Sequence, residues 1–395
     1  MDSKSKQTSR LAGFYELALP DRLKLLFERG TLSKEAQHLL EQGGKLGLEI
    51  ADAMSENVIS CHALPLSLGL NFRINNKDHL IPMATEEPSV VAAASHAAKL
   101  ARINGGFEGH ADPSIMTGQI QLSDITEGSP SECILNAKQA LLAIGDKSIP
   151  NMVARGGGCR DISFKMLDSS RGLGVVLVDI DVGDAMGANM VDTVAECLAP
   201  ELVKRLGGNF GLRILTNLSL KRLVTVTTTI AMEAIGEKLA NAIVLASEFA
   251  ELDAMRAVTH NKGIMNGIDS VALALGQDFR AIEAGAHGYA SVSGTYKPLS
   301  TWRRVAQGLE GTIRLPLAVG TVGGSTKSHP GVRAAFEVLG VSGARELAVV
   351  MASVGLASNF AALKALASEG IQKGHMRLHH RKSAHQAETT KKRAP

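Results

Sequence analysis

Six segments between residues 115 and 218 follow one another in an order that few folds accommodate. The pattern predicts strand, helix, strand, strand, helix and strand over residues 115–125, 131–145, 161–168, 173–182, 185–206 and 210–218. The fourth segment, LGVVLVDIDV, is the strongest strand signal. The order β-α-β-β-α-β is that of a ferredoxin-like domain.

Mostly helical sequence flanks this unit on both sides, so we interpret it as a small domain inserted into a larger one. The predicted fold class is α+β, with a large, mostly helical domain and a small ferredoxin-like domain. We place the large domain at residues 1–107 and 220–370, the small domain at 108–219, and a C-terminal tail at 371–395.

The larger domain combines helices with a few extended segments. Residues 14–54 predict helices, and a long alanine-rich helix follows Glu86-Glu87-Pro88. The other predicted elements are extended segments over 57–74 with a hairpin return, strands at 221–232 and 311–320, and helices at 236–252 and 342–369.

Composition indicates a soluble globular protein. Of the 395 residues, 45% are hydrophobic and 21% are charged. A net charge of +3 implies no strong attraction to nucleic acid or to a membrane surface. No apolar run approaches the ~20 residues that span a bilayer, and the N-terminus lacks a hydrophobic signal core. The four cysteines show no CxxC pairing, so we expect a cytoplasmic protein with reduced, buried thiols.

The stretch from Thr259 to Ala290 predicts two helices joined by a Gly-Gln turn. We expect Lys262 to open the first helix and Asp278 to start the second. Polar side chains crowd the lysine in sequence: Thr259, His260, Asn261, Asn266 and Asp269. A lysine fixed beside such a helix start, with a carboxylate close after it, can hold a cation against a developing oxyanion. The alternative, an amphipathic helix with a solvated lysine, is favoured by composition alone.

The exact sequence of this stretch favours a catalytic lysine over a solvated one. THNKGIMNGID followed by GQDFRAIEAGAHGYA closely resembles the catalytic segment of the class II hydroxymethylglutaryl-CoA reductases. The resemblance implies that Lys262 and Asp278 are both catalytic. It extends over nearly the whole chain, from about Asn57 to His379.

Glu87 in ATEEPSVVAAAS precedes a proline at a predicted helix start. A carboxylate there ordinarily complements the helix dipole. The alternative is a buried acid of raised pKa that hands a proton to a carbonyl oxygen. The resemblance implies that Glu87, rather than its neighbour Glu86, is the catalytic glutamate, and that Ser89 contacts substrate.

The segment VDIDVGDAMGANMVD predicts a strand, a glycine-containing turn and a helix. Such a helix start can bind an anion, but there is no GxGxxG for an ordinary Rossmann site. The resemblance implies that NADH or NADPH binds here on a non-Rossmann domain, through Asp184, Met186, Gly187 and Asn189. The choice between the two nucleotides stays open among Asp146, Lys147 and Arg155.

His375 and His379 share a spacing that metal ligands also use, but no HExxH glutamate or cysteine cluster accompanies them. We therefore expect no metal. The resemblance implies that His375 is a general acid that protonates the departing CoA thiolate. It also implies substrate contacts from Asn217, Arg256 and Asn266, and Glu56-Asn57-Val58 resembles a further segment of the family, with Ser60 where glycine is frequent.

The implied reaction is the four-electron reductive deacylation of hydroxymethylglutaryl-CoA to mevalonate and CoA, or its reverse. Lys262 would stabilise the oxyanion, Asp278 would tune it, and Glu87 or Lys262 would supply the second proton. The family forms homodimers or higher oligomers of dimers, with active sites between subunits. About twenty residues follow His375, fewer than the helical flap of the family, so lid closure is expected to suffer. The alternative is a paralogue that binds CoA or dinucleotide without turnover.

Overall fold

The computed structural model describes residues 8–368. Helices α1 to α14 span Leu19–Glu28, Lys34–Glu41, Leu48–Met54, Val90–Ala101, Pro130–Ser148, Pro150–Val153, Ala188–Leu206, Met232–Ile235, Glu237–Leu252, Ala254–Ala274, Phe279–Ala290, Ser325–Ser328, Pro330–Leu339 and Ala344–Ala367. Strands β1 to β10 span Leu66–Ile74, Lys77–Ala84, Phe107–Ala111, Ile115–Ser123, Gly158–Asp168, Leu173–Asp181, Asn209–Leu215, Leu223–Ala231, Ser300–Val305 and Gly308–Pro316. Short 3-10 turns lie at Phe14–Glu16, Arg102–Asn104 and Ser169–Arg171.

Four strands form the smaller sheet, in the order β5-β6-β4-β7 with antiparallel neighbours. Helices α5 and α7 connect its strands, and their apolar sides pack on one face of the sheet. Ile120, Val176 and Val178 are fully buried in that layer together with Val194 and Leu198. Strand order and direction are those of the ferredoxin-like plan, so the predicted fold class is confirmed.

The larger sheet has six strands, in the order β2-β1-β3-β8-β10-β9. Strands β1 and β3 run parallel, and the other neighbours run antiparallel. The sequence did not predict β3 and β9, because FEGHA and STWRRV are short and carry little alternation. Strand β3 pairs with β8 as far as Ala111, so the larger sheet extends past residue 107. The domain boundaries themselves stay a prediction.

Helix α14 is the central helix of the larger unit and packs against α10 and α4. It is the helix of residues 8–368 that is long and apolar enough to cross a membrane, yet most of it is buried inside the fold. A Cβ at Gly267 of α10 would lie 2.4 Å from Ser358 Oγ and 2.8 Å from Val354 O of α14. The two helices therefore cross at a distance that only glycine permits.

The prediction that Lys262 opens a helix is wrong, because α10 begins eight residues earlier at Ala254. The carboxylate of Asp253 caps the helix by accepting a hydrogen bond from Arg256 N at 2.7 Å. Lys262 is thus in the third turn of a continuous helix. Its polar neighbours in sequence point to different sides of that helix.

His260 and Asn261 point into the core rather than toward the lysine. His260 Nε2 lies 2.8 Å from Ser300 Oγ and 3.1 Å from Asn359 Nδ2. Because an amide nitrogen only donates, this contact requires an unprotonated Nε2. Burial, followed by the charge of Arg256, lowers the pKa of His260 to about 4, although the backbone of Ser300 and the charge of Glu251 act in the opposite direction. His260 is therefore a neutral structural residue that ties α10 to β9 and α14.

All four cysteines are free thiols, but the expectation that they are buried is wrong for the exposed Cys61 and Cys197 and for the partly buried Cys133. Cys61 lies in an exposed extended segment, and Cys197 is on the solvent side of α7. Cys159 is buried, and burial together with the nearby Asp146 carboxylate raises its pKa to about 12.

We predict that His260 makes the protein less stable below neutral pH. Its pKa is lower in the folded than in the unfolded chain, so below about pH 6.5 the unfolded state binds the extra proton. The contribution of His260 to the free energy of unfolding should fall by roughly 2 kcal/mol between pH 7 and pH 5. Urea unfolding should show a smaller pH dependence for His260→Asn than for the natural protein. Exposed His38→Asn is the control, and an unchanged slope in His260→Asn would contradict the assignment.

Candidate active site

Glu87 and Lys262 come together although 175 residues separate them in the chain. Lys262 Nζ lies 3.4 Å from Glu87 Oε2, with the side chains 63% and 35% exposed. Glu87 occupies the turn between β2 and α4, where its backbone N–H donates to Thr85 Oγ1. The pair offers a cation and a carboxylate to one small molecule on an open surface.

Ser89 lies two residues beyond Glu87 and has an unusual backbone. Its φ of 82° and ψ of −24° are in the left-handed region, which costs a non-glycine residue about 1 kcal/mol. Its hydroxyl oxygen is buried and has no hydrogen-bond partner among residues 8–368. A strained residue with an unsatisfied buried hydroxyl is a feature of ligand sites.

Asp278 caps α11, as expected of a carboxylate at that helix start. Its Oδ1 accepts from Ala281 N at 3.0 Å and lies 3.6 Å from Arg280 Nη2. Within the described part of the chain, no hydrogen bond or ion pair joins Asp278 to Lys262 or Glu87. The structure therefore brings two of the predicted catalytic groups together and holds the third at the start of the next helix.

The predicted substrate residues lie on neighbouring elements. Asn266 follows Lys262 by one turn of α10, which places it on the same side of the helix. The partly buried guanidinium of Arg256 has no hydrogen bond or ion pair to another described residue, and burial lowers its pKa. Asn217 is exposed, and its carbonyl lies 2.7 Å from where a Cβ on Gly285 of α11 would stand. Three polar side chains thus remain available for a ligand.

Asp269 shares this side of α10, and its Oδ1 is buried with no hydrogen-bond partner among residues 8–368. It lies two turns beyond Lys262 and pairs with Glu283 of α11. Burial, followed by the hydrogen bond and charge of Glu283, raises the pKa of Asp269 to about 8. The hydrogen bond between the two carboxyl groups joins α10 to α11.

The predicted dinucleotide segment forms a tight turn between β6 and α7. Gly187 has a φ of 106°, and a Cβ there would lie 2.6 Å from Val182 Cγ1. No side chain caps the first turn of α7, so its N–H groups are available to an anion near the exposed Asn189 and partly buried Met186. One carboxylate oxygen of the exposed Asp184 is already bound, because Oδ1 accepts from Ala344 N, the first N–H of α14, at 2.8 Å.

The candidate nucleotide-selecting residues lie on either side of α6 in the chain. Asp146 Oδ1 accepts a hydrogen bond from Cys159 N at 2.7 Å, whereas Lys147 and Arg155 are exposed. A Cβ at Gly183 would lie 3.8 Å from Met152 Sδ, so the end of α6 approaches the start of the turn.

His375 and His379 lie outside the described residues. Among residues 8–368, no three or more histidine, cysteine, aspartate or glutamate side chains are grouped to hold a metal ion.

Arg222 and Gln277 contact these segments, and the sequence did not single them out. Arg222 donates to carbonyls of the dinucleotide turn, and Gln277 accepts from Gly320 N. Each looked like an ordinary surface polar residue, because neither belongs to a recognisable motif.

The chain matches known proteins over almost its full length. A family model described as hydroxymethylglutaryl-coenzyme A reductase matches residues 18–380. The 3-hydroxy-3-methylglutaryl-coenzyme A reductase of Archaeoglobus fulgidus is 47% identical over 388 residues, which cover 97% of this chain and 88% of that protein. A Borreliella burgdorferi protein of the same printed name, qualified there as "Probable", is 36% identical over 346 residues, covering 85% of this chain and 78% of that one.

Solved structures agree with these sequence matches. The class II enzyme of Streptococcus pneumoniae, bound to NADPH in open conformations, superposes with a TM-score of 0.87 at 41% identity. That alignment covers 90% of this chain and 99% of the other. A second structure of the Streptococcus pneumoniae enzyme gives a TM-score of 0.89 and covers 93% of this chain and 90% of the other.

We predict that Ser89→Gly is more stable than Ser89→Ala by about 1 kcal/mol, because only glycine adopts this φ without strain. Both variants lose the hydroxyl, so the comparison isolates the backbone. Urea unfolding measures the difference. In the interior of α4 the order should reverse, with Ser95→Ala more stable than Ser95→Gly. Equal stability of the two Ser89 variants would show that residue 89 is unstrained.

Proposed function

The chain belongs to the hydroxymethylglutaryl-coenzyme A reductase family, and on this premise we propose that it converts hydroxymethylglutaryl-CoA to mevalonate and CoA with NADH or NADPH. The observation that carries the proposal to particular residues is the Glu87–Lys262 pair beside the unsatisfied hydroxyl of Ser89. Two neighbouring groups of opposite charge suit a carbonyl that gains negative charge and then a proton.

The balance of the reaction defines what the residues must do. Two reduced dinucleotides would be used for each turnover, and each would supply one hydride, one for each reduction. The first reduction turns the thioester into a hemithioacetal, whose C–S bond then breaks to give mevaldehyde and the CoA thiolate. The second reduction gives the alcohol. The protein must stabilise an oxyanion twice, supply protons to oxygen, and assist the departure of sulfur.

We assign the oxyanion to Lys262, whose side chain is 63% exposed and so accessible to a substrate oxygen. Glu87, 3.4 Å from that ammonium, is placed to exchange a proton with the same oxygen. Whether Glu87 or Lys262 supplies the proton in the second reduction stays open. Asp278 is assigned to tune Lys262, which requires it to approach the lysine once substrate or a second subunit is in place. His375 is assigned to protonate the thiolate.

The remaining residues are assigned to binding. The free guanidinium of Arg256 suits the terminal carboxylate of the acyl group, since its planar fork can bind both oxygens. Ser89, Asn217 and Asn266 offer hydrogen bonds to the same group. At the other end, the uncapped first turn of α7 and the side-chain-free Gly187 fit a pyrophosphate, so Asp184, Met186, Gly187 and Asn189 would line the dinucleotide.

A stoichiometric absorbance assay tests the function. The purified protein receives hydroxymethylglutaryl-CoA with NADH and, separately, with NADPH. Oxidation of two dinucleotides for each CoA released supports the proposal and identifies the preferred nucleotide. Substrate binding by a folded protein without any oxidation would contradict it and favour the alternative that the chain binds without turnover.

We also propose a cytoplasmic homodimer. Five apolar side chains at the junction of α9 and α10 are each at least 50% exposed: Leu245, Phe249, Leu252, Met255 and Val258. The first three recur at helical spacing on one side of α9, and the other two flank Arg256. Ile59, in the extended segment before β1, is a further exposed apolar side chain, at 97% exposure. An apolar surface next to a substrate residue suits an active site between two copies of this chain.

We predict separable defects in two variants. Lys262→Met should lower kcat by about 100-fold or more for both the thioester and free mevaldehyde, because both reductions form an oxyanion. His375→Gln should impair thioester reduction and largely spare mevaldehyde, which has no thiolate to release. Steady-state assays with each substrate measure this, and Lys221→Met, a lysine paired with Asp179, is the control. Retained activity in Lys262→Met would remove the oxyanion assignment, and equal losses in His375→Gln would remove the role of His375.

We predict that Leu252→Asp and Phe249→Asp convert the dimer to a monomer and lower activity with it, because a carboxylate cannot be buried unpaired. Light scattering coupled to gel filtration measures the mass. Leu135→Asp, at an exposed leucine of α5, should remain dimeric. A natural protein that is monomeric and active would refute the dimer.

A further inference from the structure

Arg222, immediately before β8, is a buried cation whose side chain binds only backbone carbonyls. It is 5% exposed. Its Nη1 donates to Met186 O at 3.0 Å, and its Nη2 donates to Ala185 O at 3.2 Å and to Val319 O at 2.6 Å. No carboxylate of residues 8–368 accepts a hydrogen bond from it. Burial lowers its pKa to about 10, partly offset by Asp181 and Asp184, so the guanidinium keeps its charge at neutral pH.

The three carbonyls belong to two different segments. Ala185 and Met186 are in the dinucleotide turn between β6 and α7, whereas Val319 follows β10 of the larger sheet. One guanidinium therefore fastens the smaller unit to the larger one at the turn assigned to the cofactor. Lysine could not replace it, because a single ammonium group lacks the planar fork that reaches three acceptors.

The backbone of the two segments is in direct contact at the same place. A Cβ at Gly320 would lie 2.7 Å from Met186 N, so no larger residue fits there without a shift. Thr321 N donates to Asp184 O at 2.9 Å, and Ala185 forms an isolated β-bridge with Val322. The turn is thus held along its length against residues 319–322.

The same segment reaches the catalytic side of the site. Gly320 N donates to Gln277 Oε1 at 2.8 Å. Gln277 directly precedes Asp278, whose carboxylate caps α11. A short series of contacts therefore runs from the dinucleotide turn through Arg222, Val319, Gly320 and Gln277 to Asp278.

We propose that Arg222 is a positioning residue that fixes the dinucleotide turn relative to the Asp278 end of α11, and so sets the distance over which hydride is transferred. The inference rests on the proposed role of that turn in dinucleotide binding. Arg222 itself touches no reacting atom. It acts at a distance because a misplacement of reacting groups by about 1 Å can slow a reaction about 100-fold.

The test compares Arg222→Lys with Gly320→Ala, which disturbs the same contact from the other segment. Both should raise the KM for the dinucleotide by about tenfold and leave the KM for hydroxymethylglutaryl-CoA within about twofold. The kinetic isotope effect with deuterated dinucleotide should rise, because hydride transfer becomes more rate-limiting. Arg102→Lys is the matched control, since that partly buried arginine binds Asp78 and Ser9 at a distance from the turn.

Each outcome decides the proposal. A raised dinucleotide KM with a raised isotope effect, near-natural melting temperature and no change in Arg102→Lys supports it. An unchanged dinucleotide KM and an unchanged isotope effect in Arg222→Lys overturn the proposal. A lower kcat with weaker binding of both substrates and a lower melting temperature, seen also in Arg102→Lys, overturns the proposal in favour of a purely structural role. If the natural protein oxidises no dinucleotide, the proposed function fails instead, which the same assay shows before any variant is compared.

Discussion

The close crossing of α10 and α14 is the constraint on which the rest of the site depends. Gly267 lets the backbones approach until a Cβ would lie 2.8 Å from Val354 O. This contact and the buried His260–Asn359 network fix the rotation of α10 about its own axis. Since side chains leave a helix in fixed directions, fixing the core side of α10 also fixes where Lys262 and Asn266 point. The catalytic surface is thus the outer side of a helix whose inner side is locked.

The site also depends on the junction between the two sheets. The dinucleotide turn belongs to the smaller sheet, and Lys262 and Asp278 lie on helices of the larger unit. Asp184 accepts from the first N–H of α14, so the central helix of the larger unit begins on a residue of the turn. The buried guanidinium of Arg222 closes the same junction from another direction. A cofactor held by one unit therefore meets groups held by the other at a defined distance.

Much of the fold could be read from local pattern. The β-α-β-β-α-β order, the cap at Asp278 and the glycine turn at Gly187 all appear where the sequence placed them, because each depends on neighbours within a few residues. Strands β3 and β9 were not predicted, because their stability comes from pairing with β8 and β10, which local pattern does not reveal. The start of α10 was misplaced because polar residues within a helix resemble a helix end until packing shows which of them are buried.

The sequence by itself determined the family, the types of element and the residues able to do the chemistry, because long motifs and short-range periodicity are written in consecutive residues. Only the tertiary structure decided which of them meet. In the folded chain Glu87 contacts Lys262 across 175 residues, and His260 is buried in the core. Asp269 forms a hydrogen bond with Glu283. The tertiary structure also disclosed Arg222, whose partners lie 36 or more residues away in the chain. The physical reason is that burial and long-range hydrogen bonds depend on how helices and sheets pack, and that packing is a property of the whole chain.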